Sequence, residues 1–225
     1  MLFIPNGVAN DEIAQSIRKE SDTRKIVYAG NLGLAQNTEL INQLVPLLAD
    51  YDTRLTIIGY GVNKNQVLES VKNHKNVQFI KPMTKKQCLK VIADHDLGLV
   101  TLKDKEVFKT VLPGKIIDYL ACGVPVIGVL DGYAKELIES EKVGVAMNDS
   151  DPQAIFSQIK RLLEDRHLRE EMAQNALELT YEKFNFETNI YSLLEYMDDS
   201  ILIEQRNDCE DVKEGLHVRL ESLHK

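Results

Sequence analysis

Six short apolar runs, each followed by a segment with helical spacing, leave this chain few folds to choose from. The runs are "KIVYAG" (25–30), "RLTIIG" (54–59), "NVQFI" (76–80), "DLGLVTL" (96–102), "VPVIGVL" (124–130) and "VGVAM" (143–147). Between them lie "NTELINQLVPLLADY", "KNQVLESVKNH", "KKQCLKVIADH", "GKIIDYLACG" and "YAKELIES", apolar at intervals that fit one face of a helix. Strands that are apolar along their whole length need cover on both faces. Right-handed crossover helices supply that cover in a parallel sheet. The expectation is an α/β fold: one Rossmann-like, doubly wound parallel sheet of about six strands with flanking helices and a helical C-terminal extension.

The rest of the chain fits around that unit. After "VGVAM" come three helical patterns, over 151–165, 167–184 and 185–197, the first opened by Asp151 as cap and Pro152 at the first helical position. Residues 25–197 then form the nucleotide-binding type of domain. Residues 1–24, with the extended "FIPNGV", read as a linker-like N-terminal segment. Residues 198–225 hold eight acids and four bases and read as an acidic tail, either helical or solvated and partly disordered. Phe184, Phe186, Tyr191, Leu194 and Tyr196 form an apolar strip that either packs on the domain's own sheet or serves a homodimer or a partner protein.

Composition narrows the ligand. A net charge of −8 without a basic stripe disfavours nucleic acid. No apolar run approaches the ~18 residues of a membrane span, and the N-terminus lacks the features of a signal peptide, so a cytoplasmic location is expected. Cys88, Cys122 and Cys209 are scattered and make neither a disulfide framework nor a zinc site. The five histidines are unclustered and are expected at solvated or cap positions. No metal and no cofactor are expected.

In open α/β sheets ligands bind beyond the carboxyl ends of the strands. The first such loop is "GNLGLAQN", where Gly30 and Gly33 suit a tight turn that offers N–H groups to an anion, or simply permit a tight strand-to-helix turn. The dinucleotide fingerprint G-x-G-x-x-G is absent and strand two ends in "IIGYGV" without an acid for a ribose, which argues against a dehydrogenase. A receiver domain lacks its acids here, and neither a G-x-S-x-G elbow nor a P-loop occurs. In "VLPGKIIDYLACGVPVIG" (111–128), Ile116, Ile117, Leu120 and Ala121 make the apolar face of a helix, with Lys115, Asp118 and Cys122 opposite. Lys115 in the first turn works against the helix dipole unless an anion binds there, and Asp118 lies one turn on. A cation and a helix terminus for a diphosphate, with a carboxylate for ribose hydroxyls, suit a nucleotide sugar. A Lys115–Asp118 surface pair is the plainer alternative.

These segments, with "IVYAGNLGLAQNTELINQLVPLL", "LTIIGYG", "NVQFIKPMTKKQ" and "GVAMNDSDPQAIFSQIKRLLED", resemble the C-terminal, donor-binding half of GT-B glycosyltransferases of family 4, the group 1 transferases. The similarity runs in order over residues 3–197 and looks most like the bacterial surface-polysaccharide branch. It implies a retaining transferase that binds a nucleotide-diphosphate sugar, UDP-sugar favoured, without a metal or a nucleophile in this half. It also implies a place at the inner face of the plasma membrane, and an acceptor glycan or lipid-linked sugar bound by a missing or separate N-terminal half. By resemblance, Asp118 holds the ribose as the second acid of E-x7-E, and the first falls at Thr110. The diphosphate-binding Arg of relatives falls at Asn31, so Lys115, with N–H groups of Leu112 and the Gly30 loop, takes that role. Lys81 and Met83 flank the base, Tyr60 replaces an acid, and only Gly132 remains of a Gly-Gly pair that precedes Glu136. Two other readings stay open: half of a sugar-nucleotide 2-epimerase, and a non-enzymatic remnant that acts as an interaction partner.

Overall fold

The computed structural model describes residues 4–201 apart from 15–16 and 19–22. In chain order the elements are β1 (Arg24–Asn31), α1 (Thr38–Asp50), β2 (Thr53–Tyr60), α2 (Lys64–Val71), β3 (Val77–Ile80), α3 (Lys85–Ile92), β4 (Leu97–Thr101), α4 (Gly114–Ala121), β5 (Val126–Val129), α5 (Tyr133–Ser140), β6 (Gly144–Met147), α6 (Pro152–Glu164), α7 (Arg166–Lys183) and α8 (Phe186–Ile201). All strands are parallel, in the order β3-β2-β1-β4-β5-β6. This is the doubly wound Rossmann order, in which the chain leaves β1 in both directions and a topological switch point lies between β1 and β4. Residues 202–225 of the expected acidic tail lie outside the described residues.

Side chains alternate along β1 between two cores, one on each face of the sheet. Ile26 and Tyr28 pack with α1, α2 and α6, whereas Val27 and Ala29 pack with α3, α4, α5 and α7. Burial on both faces explains why the strands read as continuous apolar runs.

The seam between β1 and β4 is short. Direct pairing covers only Ile26 with Leu97 and Val27 with Gly98. Beyond it the fully buried Tyr119 of α4 enters the gap: its hydroxyl accepts from the Ala29 amide at 2.9 Å and donates to the Leu99 carbonyl at 3.2 Å. A side chain thus satisfies two backbone groups that the diverging strands leave without each other. Position 98 must be glycine, because an added Cβ would collide with the Tyr119 ring. The strands therefore part at the switch point without stranding buried polar groups.

One expectation needs correction in part, and one alternative left open is decided. His95, read as solvated or a cap, is buried at 5 % exposure, with Nδ1 bonded to the Val91 carbonyl at 2.8 Å and Nε2 to Thr56 Oγ1 at 2.7 Å. Burial lowers its pKa, and its two hydrogen bonds tie α3 to β2. Of the apolar strip, for which packing on the domain or on a partner stayed open, Phe184 packs on the domain: it is buried in the core, with the N-terminal segment running over it. The Val8 amide donates to the Phe184 carbonyl and the Phe186 amide to the Val8 carbonyl, both at 2.9 Å. Further along that segment Ile13 is buried and the Ala14 amide caps the Ala121 carbonyl at 2.8 Å, so residues 8–14 form a strap across the end of α4.

Replacing Tyr119 by Phe keeps the ring but leaves the Ala29 N–H and the Leu99 C=O unpaired in the core. The expected loss is about 1–3 kcal/mol of unfolding free energy, read as a lower urea midpoint at unchanged m-value.

Candidate functional site

The switch point brings the β1–α1 loop and the start of α4 together. Gly30 turns the chain at φ 121°, a conformation suited to glycine. The loop after it is tied down internally. Tyr28 Oη donates to the Asn31 carbonyl at 2.8 Å, the Leu32 amide to the Tyr60 carbonyl at 2.5 Å, and Asn63 Nδ2 to the Gly33 carbonyl at 3.0 Å. The Asn31 carboxamide lies against both Gly33 and Gly61, filling the space a side chain at either position would take. The Gly33 amide is engaged by Gln36 Oε1 at 3.0 Å, and Asn37 caps α1 through the Leu40 amide at 3.2 Å. Much of the hydrogen-bonding capacity here is thus spent on the loop itself.

The start of α4 differs. Pro113 stands at its N-cap without a side-chain cap, and Gly114 faces open space. Lys115 follows, its stem running over the Gly30 backbone and its Nζ 3.8 Å from the centre of the Tyr28 ring. Since Tyr28 packs in the core on the opposite sheet face from α4, the amine reaches across the open seam. This Nζ is fully buried and has no hydrogen-bond partner. Burial alone lowers its pKa from 10.5 to about 7, although the ring face favours the charged form.

Asp118 points elsewhere. Its nearest cation is Lys85 of α3, with Nζ 3.9 Å from Oδ1, and no described residue donates a hydrogen bond to it. The Lys115–Asp118 surface pair is not formed. Burial raises the Asp118 pKa, Lys85 lowers it, and Glu12 raises it. Burial, and after it the Asp118 charge, raises the thiol pKa of the half-buried Cys88 of α3. Cys122, on the Asp118 side by periodicity, is buried with its thiol against the Leu89 carbonyl at 3.3 Å. Met83 and Leu112 pack partly buried against the core, whereas Thr110 is exposed, in a loop anchored by the Tyr133 amide on the Lys109 carbonyl at 2.7 Å. Lys81 and Tyr60 are exposed at neighbouring strand ends.

Sequence reasoning singled out Lys115 and Asp118 but missed Tyr28, Tyr119, Lys85 and Glu12. A tyrosine in an otherwise aliphatic strand, and another in the apolar face of α4, were the available signals.

The fold is a doubly wound parallel sheet in Rossmann order, with the partnerless Lys115 amine and the uncapped start of α4 at its switch point. The family model described as glycosyl transferases group 1 matches residues 9–179. The chain belongs to that family. N-acetyl-alpha-D-glucosaminyl L-malate synthase of Bacillus anthracis is 28% identical over 211 residues, which cover 91% of this chain and 54% of that protein. The chain thus spans about half the length of this curated relative. A glycosyltransferase structure from Rickettsia africae superposes with a TM-score of 0.72 at 16% identity, over 90% of this chain and 57% of that one. The Anabaena protein HepE, solved in complex with UDP and glucose, gives 0.65 at 18% identity, over 79% and 49%. At these identities the solved structures establish a shared fold. Among the described residues no helix is long and apolar enough to cross a membrane.

Lys115 should be a net burden on the folded protein. The unfolded chain keeps its proton to about pH 10.5 and the folded chain only to about pH 7, so between those values the unfolded state binds more protons and stability rises with pH. Lys115→Met is expected to be at least as stable as wild type at pH 7. The wild-type unfolding free energy should then gain on that of the variant from pH 7 to pH 10, as read by urea titration at each pH.

Proposed function

We propose that the chain is the donor-binding half of a retaining glycosyltransferase that transfers a hexosyl or N-acetylhexosaminyl group from a UDP-sugar in bacterial surface-polysaccharide or lipopolysaccharide synthesis. The observation that carries this reading is the buried, partnerless Lys115 amine beside the Gly30 loop and the open start of α4. In such a transfer the bond from the anomeric carbon to the diphosphate breaks and negative charge builds on the leaving oxygen. Lys115 and the α4 amides meet that charge, a preorganised electrostatic role that needs no nucleophile from this chain. The charge of the diphosphate also returns Lys115 to its fully protonated form. Asp118, free of hydrogen-bond donors, accepts from the ribose hydroxyls, and Met83 flanks the base. UDP is favoured because it is the nucleotide in the HepE complex.

The acceptor, a glycan or a lipid-linked sugar, belongs to a further half of the kind that about half the length of the relative comprises. The isolated chain then binds donor with little turnover, in the cytoplasm and peripherally at the inner face of the membrane. A second reading, an interaction partner without catalysis, draws on the uncharged Asn31, on Thr110 where relatives carry an acid, and on the exposed Phe186, Tyr191, Leu193, Tyr196 and Met197 of α8.

Calorimetric titration with UDP, GDP and UDP-N-acetylglucosamine tests the choice. UDP is expected to bind in the micromolar to low-millimolar range, about −8 to −4 kcal/mol, and to lose at least about 1.4 kcal/mol, or tenfold, in Lys115→Met and in Asp118→Asn. A folded chain that binds none of the three leaves the interaction reading.

A further inference from the structure

The ribose role of Asp118 leaves unexplained what favours the ionised form of a half-buried carboxylate without hydrogen-bond donors, and what aims it. The answer lies on two other elements. Lys85 stands in the first turn of α3, and its ammonium sits between two acids, 3.1 Å from Glu12 Oε2 and 3.9 Å from Asp118 Oδ1. Lys85 does not lie there by chance of a loose side chain, since both ends of the arrangement are fixed. Thr84 and Gln87 form a capping box that sets the start of α3. Glu12 accepts from the Ala9 amide at 3.1 Å, and the strap around it is held by the Asn10 amide on Glu187 at 3.2 Å, by Asn185 on Asn10 at 2.5 Å and by the Ala14 amide on α4.

We propose that Lys85 is a positioning residue for Asp118, and that Glu12 of the N-terminal strap sets how closely Lys85 approaches it. The proposal rests on Asp118 as the ribose ligand. The charged or titratable groups that interact with Asp118 are Lys85 and Cys88 from α3, Glu12 from the strap, and Tyr119 and Cys122 from α4 and its end. Two carboxylates around one ammonium make a balance with a definite sign. Without the Lys85 charge, Asp118 faces Glu12 in a half-buried site and protonates more readily. Without the Glu12 charge, Lys85 serves Asp118 alone and the carboxylate is held ionised to lower pH.

The test uses the full chain and two probes, UDP and inorganic pyrophosphate, the second lacking a ribose. Each is titrated against wild type, Lys85→Met, Glu12→Gln, Asp118→Asn and the Lys85→Met/Asp118→Asn double variant from pH 5 to pH 8. The titration of the Asp118 carboxyl is followed by carbon NMR without ligand. Lys85→Met should move that carboxyl midpoint up and Glu12→Gln should move it down. UDP affinity should follow, falling in Lys85→Met by about fivefold at the wild-type midpoint for one unit of displacement and by about tenfold well below it, with pyrophosphate affinity unchanged and no further loss in the double variant over Asp118→Asn. UDP affinity lost in Asp118→Asn but untouched in Lys85→Met, or equal losses for UDP and pyrophosphate in Lys85→Met, overturns the positioning role alone. UDP affinity unchanged in Asp118→Asn overturns the ribose role, and the proposal with it. A merely structural Lys85 lowers the melting temperature and leaves the carboxyl midpoint where it was, which also contradicts the proposal.

Discussion

The hydroxyl of Tyr119 lets β1 and β4 part company at the middle of the sheet, and the site depends on that parting. Parallel strands that separate inside a core leave amides and carbonyls without partners, each costing about 1–3 kcal/mol if unsatisfied. One phenol answers both the Ala29 amide and the Leu99 carbonyl. Because the ring comes from α4, the same contact fixes that helix against the opening. Lys115, one turn before Tyr119, is thereby delivered across the seam to the ring of Tyr28, and Asp118 is turned outward towards α3.

The two polar residues of α4 therefore serve two sides of one helix. Lys115 is desolvated and partnerless, which lowers the pKa of its amine and makes the amine receptive to an anion. Asp118 is balanced between Lys85 and Glu12. Neither arrangement favours the stability of an isolated domain, since a buried amine without a partner is a cost and a carboxylate without donors gains nothing from the fold. Such local conflict is what a binding site looks like before its ligand is considered.

Much of the fold was legible because strand and helix periodicities differ and each apolar run had a single period. All six strands fall where the runs "KIVYAG" through "VGVAM" lie, and Asp151 and Pro152 open α6 as capping chemistry requires. What local pattern misplaced or left open are residues whose partners are distant in sequence. His95 is polar and near a helix end, so local pattern puts it in water, yet Thr56 receives it 39 residues away. Phe184 belongs to an amphipathic strip by spacing, but the strap from residue 8 covers it. At the site, Lys115 and Asp118 were visible as charges out of place on an apolar helix. Lys85 was not, because nothing local distinguishes a helix-start lysine that will stand between two acids, and Tyr28 showed only as a tyrosine in an otherwise aliphatic strand, without its partner.

The central claim is that the orphaned Lys115 amine is the cation for a nucleotide diphosphate. Nitrogen NMR of the Lys115 Nζ, titrated from pH 5 to pH 11 with and without saturating UDP, addresses it directly. The account predicts a midpoint near pH 7 in the free chain that rises by more than about one unit when UDP binds, as a close opposite charge requires. A midpoint that stays put while UDP is bound would place the diphosphate elsewhere and contradict the account.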